Sequence, residues 1–514
     1  MSEIETPSQL LARIYDEEFG FLPSNSSMKP VHVANGVARR LTGVTNDHTA
    51  LARVLRQFVK NQKGDYREER NPNAVILEDY GSRFADHFGN PPTDEALTRF
   101  RSLAKDTLGA DDAVFPPTAS GKPTQASFTL SHRQMITTDI SDNGSGDFLA
   151  GLLTAGSPAQ AQSAAELVRF LLNTDTDPWT MIGWPLLGIG EEREAVMGAG
   201  AQIRADRSAQ LLATEKNGEL VSPTLRELRK RYDQLATYEE SYGAKLTTLR
   251  RLVLFGAFSL HVHMIRRFGD VVDEGQQPPI LLDLFDGHRR SLREASAATL
   301  QNGFRSIEQL VLYRIREHLD EVCGTEVDEY LNSLPGDKES QALRTEFDAQ
   351  APGVEPITAL AEAFWKGGYS GVGPADVKGL PWNALLALGR RSGYLLPYDN
   401  RGRGGKEHKR YGVNAEFAEV LVAATVVPGD PLDFDDFLEI LRNSFGIVVG
   451  RSADFEVIRR NDLRPGGEIG RSVSVNEGDL RANLIAFRDL IVDIGFAKSY
   501  ADGRTVVTTD EVRG

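Results

Sequence analysis

Residues 482–508 read ANLIAFRDLIVDIGFAKSYADGRTVVT, and this stretch decides what kind of fold the chain builds near its end. Across 483–494 the apolar residues Leu484, Ile485, Phe487, Leu490, Ile491 and Ile494 recur at the three-to-four residue spacing of one helix face. Gly495 follows where helices commonly stop, because glycine accepts a left-handed backbone without a side-chain clash. Residues 496–500 and 504–508 flank Ala501, Asp502 and Gly503, and an Asp-Gly pair supplies the backbone freedom of a tight hairpin. The stretch predicts a helix that runs directly into a two-stranded ribbon.

Upstream, 380–391 predicts a helix and 394–397 a short strand, after which 400–410, NRGRGGKEHKR, is turn-rich and basic. It sets Arg401, Arg403, Lys406, Lys409 and Arg410 against one acid, Glu407. The chain as a whole has 58 Lys and Arg against 73 Asp and Glu, a net charge of −15, so this is a local inversion. The overall charge excludes a general polyanion binder, and any nucleic-acid contact must come from such a patch. Arginine and lysine suit phosphate oxygens, and glycine lets the backbone approach them closely. A helix over 415–426 follows, capped by Asn414. The acidic stretch 430–443, with Asp433, Asp435, Asp436 and Glu439, is a rival partner for the basic loop, and 445–449 reads as a buried strand.

A helix followed by a ribbon with an Asp-Gly turn resembles winged-helix domains, and 380–413 resembles a second, degenerate copy of helix plus wing. The resemblance covers roughly the last 135 residues and is one of pattern. It implies a module that binds DNA or docks protein. Under the first implication Arg401, Arg403, Lys406, Lys409 and Arg410 hold the phosphates of double-stranded DNA, joined by Lys498 and Arg504 of the second ribbon. A long helical chain ending in such domains is also similar to accessory subunits of bacterial anti-phage defence and restriction systems. That similarity implies a non-catalytic, cytoplasmic protein working beside an ATPase or nuclease subunit.

A chain of 514 residues exceeds what one core usually supports, about 250 residues, so several domains are expected. The fold class is mainly α: a helical domain over 1–115, a mixed but mostly helical one over 116–221 with a strand at 128–140, and a long-helix domain over 222–366. The α+β winged-helix-like region, 374–514, lies beyond the joint of Gly367, Gly368, Gly371 and Gly373. Ser222 and Pro223 open a helix that reaches Phe268 with a break at Gly243. With 289–319 it predicts a hairpin or bundle, whose stripe of Leu225, Leu228, Tyr232 and Leu235 either fills the chain's own core or pairs two copies through 223–319. The most apolar segment, 252–265, falls short of the roughly 20 residues a membrane span needs. The first residues lack the cationic and apolar regions of a secretory signal, and the single cysteine, Cys323, excludes an intramolecular disulfide and a multi-thiolate zinc site.

A complete catalytic set is not evident, and no cofactor is expected. His261, His263, Asp283, Asp286 and His288 are metal-ligand types within 28 residues and supply the rival reading, a metal-dependent hydrolase or nuclease. Two histidines two apart on a helix point about 200° apart, however, and cannot share one ion. Asp283 and Asp286 alternatively cap or begin the next helix. Gly188 and Gly190 begin a dinucleotide fingerprint that Arg193 interrupts, Gly121 and Lys122 run into Pro123 instead of a phosphate loop, and Val372 spoils a nucleophile elbow at Ser370.

Overall fold

The computed structural model of the chain describes residues 5–23, 28–45, 129–137, 139–156, 163–173, 193–194, 210–272, 277–324, 326–334, 336–350, 353–369, 379–397, 409–460 and 475–510, together with Ala96, Arg99 and Leu103. Among these the fold is mainly helical with short strands. First come α1 (Pro7–Phe19), α2 (Pro30–Thr42), β1 (Val44–Thr45), α3 (Ser145–Thr154), α4 (Ser163–Asn173) and β2 (Arg193–Glu194), which pairs antiparallel with β1. The middle holds α5 (Pro223–Tyr242), α6 (Lys245–Val271), β3 (Ile280–Leu281), α7 (Arg290–Val322), α8 (Val327–Ser333), α9 (Lys338–Asp348) and α10 (Pro356–Tyr369). Then follow α11 (Asn383–Arg391), β4 (Leu395–Leu396), β5 (Arg410–Tyr411), α12 (Ala415–Ala423), β6 (Leu432–Asp433), α13 (Phe434–Phe445), β7 (Ile447–Val448), α14 (Ser452–Arg460), α15 (Glu477–Asp493), β8 (Ala497–Ser499) and β9 (Thr505–Val507).

Local chemistry sets the ends of these helices. Ser222 Oγ accepts from the Leu225 amide at 3.3 Å, Pro223 occupies the first position of α5, and the chain leaves helical geometry at Gly243 before α6 begins. Asn414 Oδ1 accepts from the Phe417 amide at 2.8 Å at the start of α12. At the end of α13, Gly446 turns left-handed at φ +79°, and the buried Arg266 donates to the Ser444 carbonyl at 2.9 Å. That bond satisfies a carbonyl left over by the last helical turn.

Among the described residues of 128–140 the expected strand does not form. Over 129–137 the chain makes turns and a short 3-10 helix, Arg133–Met135. The fully buried Asn35 of α2 captures this backbone instead: its Oδ1 accepts from Thr137 N at 2.9 Å and Thr129 Oγ1 at 2.8 Å, and its Nδ2 donates to Thr137 O at 2.9 Å. Side-chain bonds have replaced a strand ladder. Within 116–221, expected to be mostly helical, Arg193–Glu194 pairs by its backbone with Val44–Thr45. Of the helical domain expected over 1–115, residues 46–115 lie outside the described residues, apart from helical Ala96, Arg99 and Leu103.

Helix α6 sits at the centre. Of residues 252–265 all but Val253 are buried, packed by α1, α2, α5, α7, α11 and α12. The stripe of Leu225, Leu228, Tyr232, Leu235 and Leu249 is buried too, so the chain's own helices fill it. One apolar cluster runs from Leu10 on α1 to Val507 on β9, so the successive segments of sequence meet around a continuous core. Among the described residues no helix is long and apolar enough to cross a membrane.

Two pairings place the C-terminal segments. β3 pairs parallel with β7, Ile280 opposite Ile447 and Leu281 opposite Val448. The last ribbon, β8–β9, gains a third strand because β6 pairs antiparallel with β9, giving the order β6-β9-β8. A two-stranded ribbon is marginal by itself, and β6 covers one of its open edges.

Candidate nucleic-acid interface

The basic connection 398–408 joins β4 to β5, which pair antiparallel with Leu395 opposite Tyr411 and Leu396 opposite Arg410. The connection, with Arg401, Arg403 and Lys406, lies outside the described residues, whereas its stem lies within them. Lys409 Nζ donates to the Pro397 carbonyl across the hairpin. Arg410 Nε donates to Asp283 Oδ2 at 2.7 Å and its Nη2 to Asp286 Oδ1 at 2.9 Å. The Tyr411 hydroxyl lies 2.7 Å from His261 Nε2, and its carbonyl accepts from Asp283 N at 3.0 Å. Lys409 and Arg410, expected as phosphate contacts, are thus buried side chains that fasten the stem. A buried guanidinium needs such a partner, because an unpaired charge there costs several kcal/mol.

The second element is α15 with its ribbon. Lys498 is exposed on β8, and Arg504 Nη2 is bonded to both carboxylate oxygens of Asp433, at 2.9 and 3.1 Å, on the surface. Asn483 is fully buried: its Nδ2 donates to Leu282 O at 2.8 Å and Val449 O at 2.9 Å, and its Oδ1 accepts from Leu284 N at 3.0 Å. Phe487 stacks on Phe437 with ring centroids 6.3 Å apart. Asn483, Phe487 and Ile491, four apart, therefore define the inward face. Ile485, expected on that face, is displaced by about 200° from Asn483 and from Phe487, and it is 42% exposed. It lies in an outward stripe with Arg481 and Arg488, the latter held by Asp489 at 2.8 Å. These two arginines escaped the sequence reading, although their spacing from Ile485, four and three residues, was there to be counted. Asp479, one turn earlier, accepts from Arg289 at 2.7 Å and Ser291 Oγ at 2.5 Å.

The metal-ligand types near 261–288 do not assemble into a site. His261 faces Tyr411 and Tyr394, while His263 stacks on Phe148 at 4.9 Å and meets the edge of Phe19 at 6.5 Å. The two imidazoles point to different parts of the core, as their spacing requires. Burial pushes the pKa of each down to about 3, the charge of Arg267 adding to the effect at His263. Asp283 is engaged by Arg410 and by the amides of Phe285 and Gly287, at 2.9 and 2.8 Å, which makes it the cap of a turn ahead of α7. Among the described residues no group of three His, Cys, Asp or Glu side chains is placed to hold a metal ion. Cys323 Sγ donates to the Leu319 carbonyl at 3.1 Å, and burial together with Asp320 raises its pKa, the opposite of an activated thiol. Residues 119–123 and 188–190 lie outside the described residues.

Compared with known proteins, the chain matches no family model, no curated protein and no solved structure.

Proposed function

We propose that the chain acts by binding, that its last part carries winged-helix-like modules, and that the connection 398–408 contacts the phosphates of double-stranded DNA. The winged-helix-like reading draws support from α12, β6, α13, α15 and the ribbon taken together, with β6 as the third strand beside β9. The DNA contact rests on one observation. Three cations, Arg401, Arg403 and Lys406, occupy a glycine-rich connection whose two ends are fastened by Lys409 and Arg410. A fixed stem is preorganised, and preorganisation lowers the cost of binding.

The test is duplex binding across a series of salt concentrations, wild type against Arg401→Ala/Arg403→Ala/Lys406→Ala, with Lys409 and Arg410 kept. Weaker binding with a shallower salt dependence supports the assignment. Equal affinity and equal slope remove the loop from it.

A second reading assigns α15 and its ribbon to protein docking, on an ATPase or nuclease subunit. Its support is the outward stripe, where Ile485 is exposed and Arg481 and Arg488 stand among Glu477, Asp489 and Asp493, with Arg504 neutralised by Asp433. Such a face offers a duplex little net attraction. Co-purification that survives nuclease treatment and is lost in Ile485→Asp supports docking; loss on nuclease treatment alone means DNA bridged the partners.

A further inference from the structure

The chain contains four Asn-Gly pairs, Asn35-Gly36, Asn143-Gly144, Asn217-Gly218 and Asn302-Gly303. Asparagine before glycine is the pairing most prone to lose its side-chain amide. Glycine has no side chain to hinder its own backbone nitrogen from attacking the asparagine carboxamide. The attack needs a backbone free to rotate, and the structure gives the four pairs very different freedom.

Three of the pairs are held. Asn35 is fully buried in α2, with its Oδ1 accepting from Thr137 N and Thr129 Oγ1 and its Nδ2 donating to Thr137 O. Asn302 lies within α7, its Oδ1 accepts from Arg305 Nη1 at 3.2 Å, and Gly303 beside it is buried. Asn143 is tied to Leu22 twice: its carbonyl accepts from Leu22 N at 3.1 Å and its Nδ2 donates to Leu22 O at 3.3 Å. Gly144, which follows it, is buried at the start of α3.

Asn217 stands at the tip of a hairpin over 213–221, bridged at Thr214 and Leu220 just ahead of α5. Residues 213–217 and 219 are exposed, while Leu211 and Leu220 anchor the base. A tip with exposed backbone bonds and no buried apolar side chain opens locally at little cost. The Gly218 amide, which donates to Glu215 O at 2.9 Å in the closed turn, is thereby released for attack. The Glu219 amide donates to Asn217 Oδ1 at 2.9 Å, the oxygen on which negative charge develops when the carboxamide carbon is attacked.

We propose that Asn217 is a site of spontaneous deamidation in the folded protein. The Gly218 nitrogen gives up its proton and bonds to Asn217 Cγ, the bond from Cγ to the side-chain nitrogen breaks, and ammonia leaves with the proton. Water then opens the cyclic imide at either carbonyl, leaving aspartate or isoaspartate at position 217. The new carboxylate joins Glu215 and Glu219, which lie 3.5 and 3.6 Å from Arg226. The isoaspartate form also lengthens the backbone by one carbon and undoes the turn closed by Gly218 and Glu215.

The experiment incubates the full chain at mildly alkaline pH, native and in urea, digests it at mildly acidic pH where the reaction is slow, and maps the peptides by mass spectrometry. In the native chain Asn217 should convert about tenfold or more faster than Asn35, Asn143 and Asn302, because helix or packed turn must open before those can react. Urea should bring the four to similar rates. Isoelectric focusing of the native chain should show an acidic species that Asn217→Gln fails to form, since the longer side chain closes its ring slowly. Native Asn217 converting no faster than the other three, or the same acidic species forming as fast in Asn217→Gln, overturns the proposal.

Discussion

Arg410 Nε lies 2.7 Å from Asp283 Oδ2 with both side chains buried, a contact that joins positions 127 apart in sequence. It ties the stem of the basic hairpin to the turn ahead of α7, and so gives Arg410 a structural part where charge counting suggests a ligand contact. Removing one partner strands the other in the core. Arg410→Ala and Asp283→Ala are each expected to cost about 3–5 kcal/mol, with the double variant costing less than the sum. Urea unfolding of the three variants measures this. Single variants within about 0.5 kcal/mol of wild type would show the pair to be dispensable.

Asn483 bridges β3 and β7 from α15 through Leu282, Leu284 and Val449. Asn483→Leu matches it in size but leaves three backbone groups without partners, at about 1–3 kcal/mol each. A loss of roughly 3 kcal/mol or more is expected, together with faster amide exchange at Leu284. Unchanged exchange there contradicts the bridge.

These two residues show where the sequence is legible and where it is not. Ser222, Pro223, Gly243, Asn414, Gly495 and the Asp502-Gly503 pair mark element ends because each acts on its own backbone within a few residues. The break at Gly243 and the final helix and ribbon are accordingly where local chemistry puts them. β6 is two residues long, carries no periodicity, and exists because β9 is beside it. Ile485 looks like core by spacing, but Asn483, a polar residue inside the apolar stripe, sets the register and turns it outward. Composition alone reveals the cations of 401–410; which of them face inward depends on Asp283.

Asp142 is fully buried, with its pKa pushed up to about 7 by burial, against the opposing pull of Arg39 and the Gly146 amide, which donates to it at 2.9 Å. Below about pH 4 both folded and unfolded chains hold the proton. Between there and about pH 7 the unfolded chain releases it while the folded protein keeps it, so this group lowers stability as pH rises, by up to about 1.4 kcal/mol per unit. Asp142→Asn keeps an acceptor for Gly146. The variant should gain stability over wild type at about pH 8 relative to about pH 4, as read from urea midpoints; an equal difference at both pH values sinks the prediction.

His263 works in the other direction. It stays neutral when folded, whereas in the unfolded chain it takes a proton below about pH 6.5, so stability is lost as pH falls from there toward its folded pKa of about 3. His263→Phe suits the stack on Phe148 and should reduce the acid sensitivity by up to about 1.4 kcal/mol per unit. Thermal unfolding between about pH 4 and pH 7 reads this out; parallel curves for the two proteins would count against it.

The claim that the chain meets duplex DNA at the β4–β5 hairpin is tested most directly by photo-crosslinking the full chain to duplex DNA and mapping the attachment sites by mass spectrometry. The expected attachments fall within 398–408, and competing salt removes them. Attachments confined to α15 and the β8–β9 ribbon, or none at low salt, would contradict it.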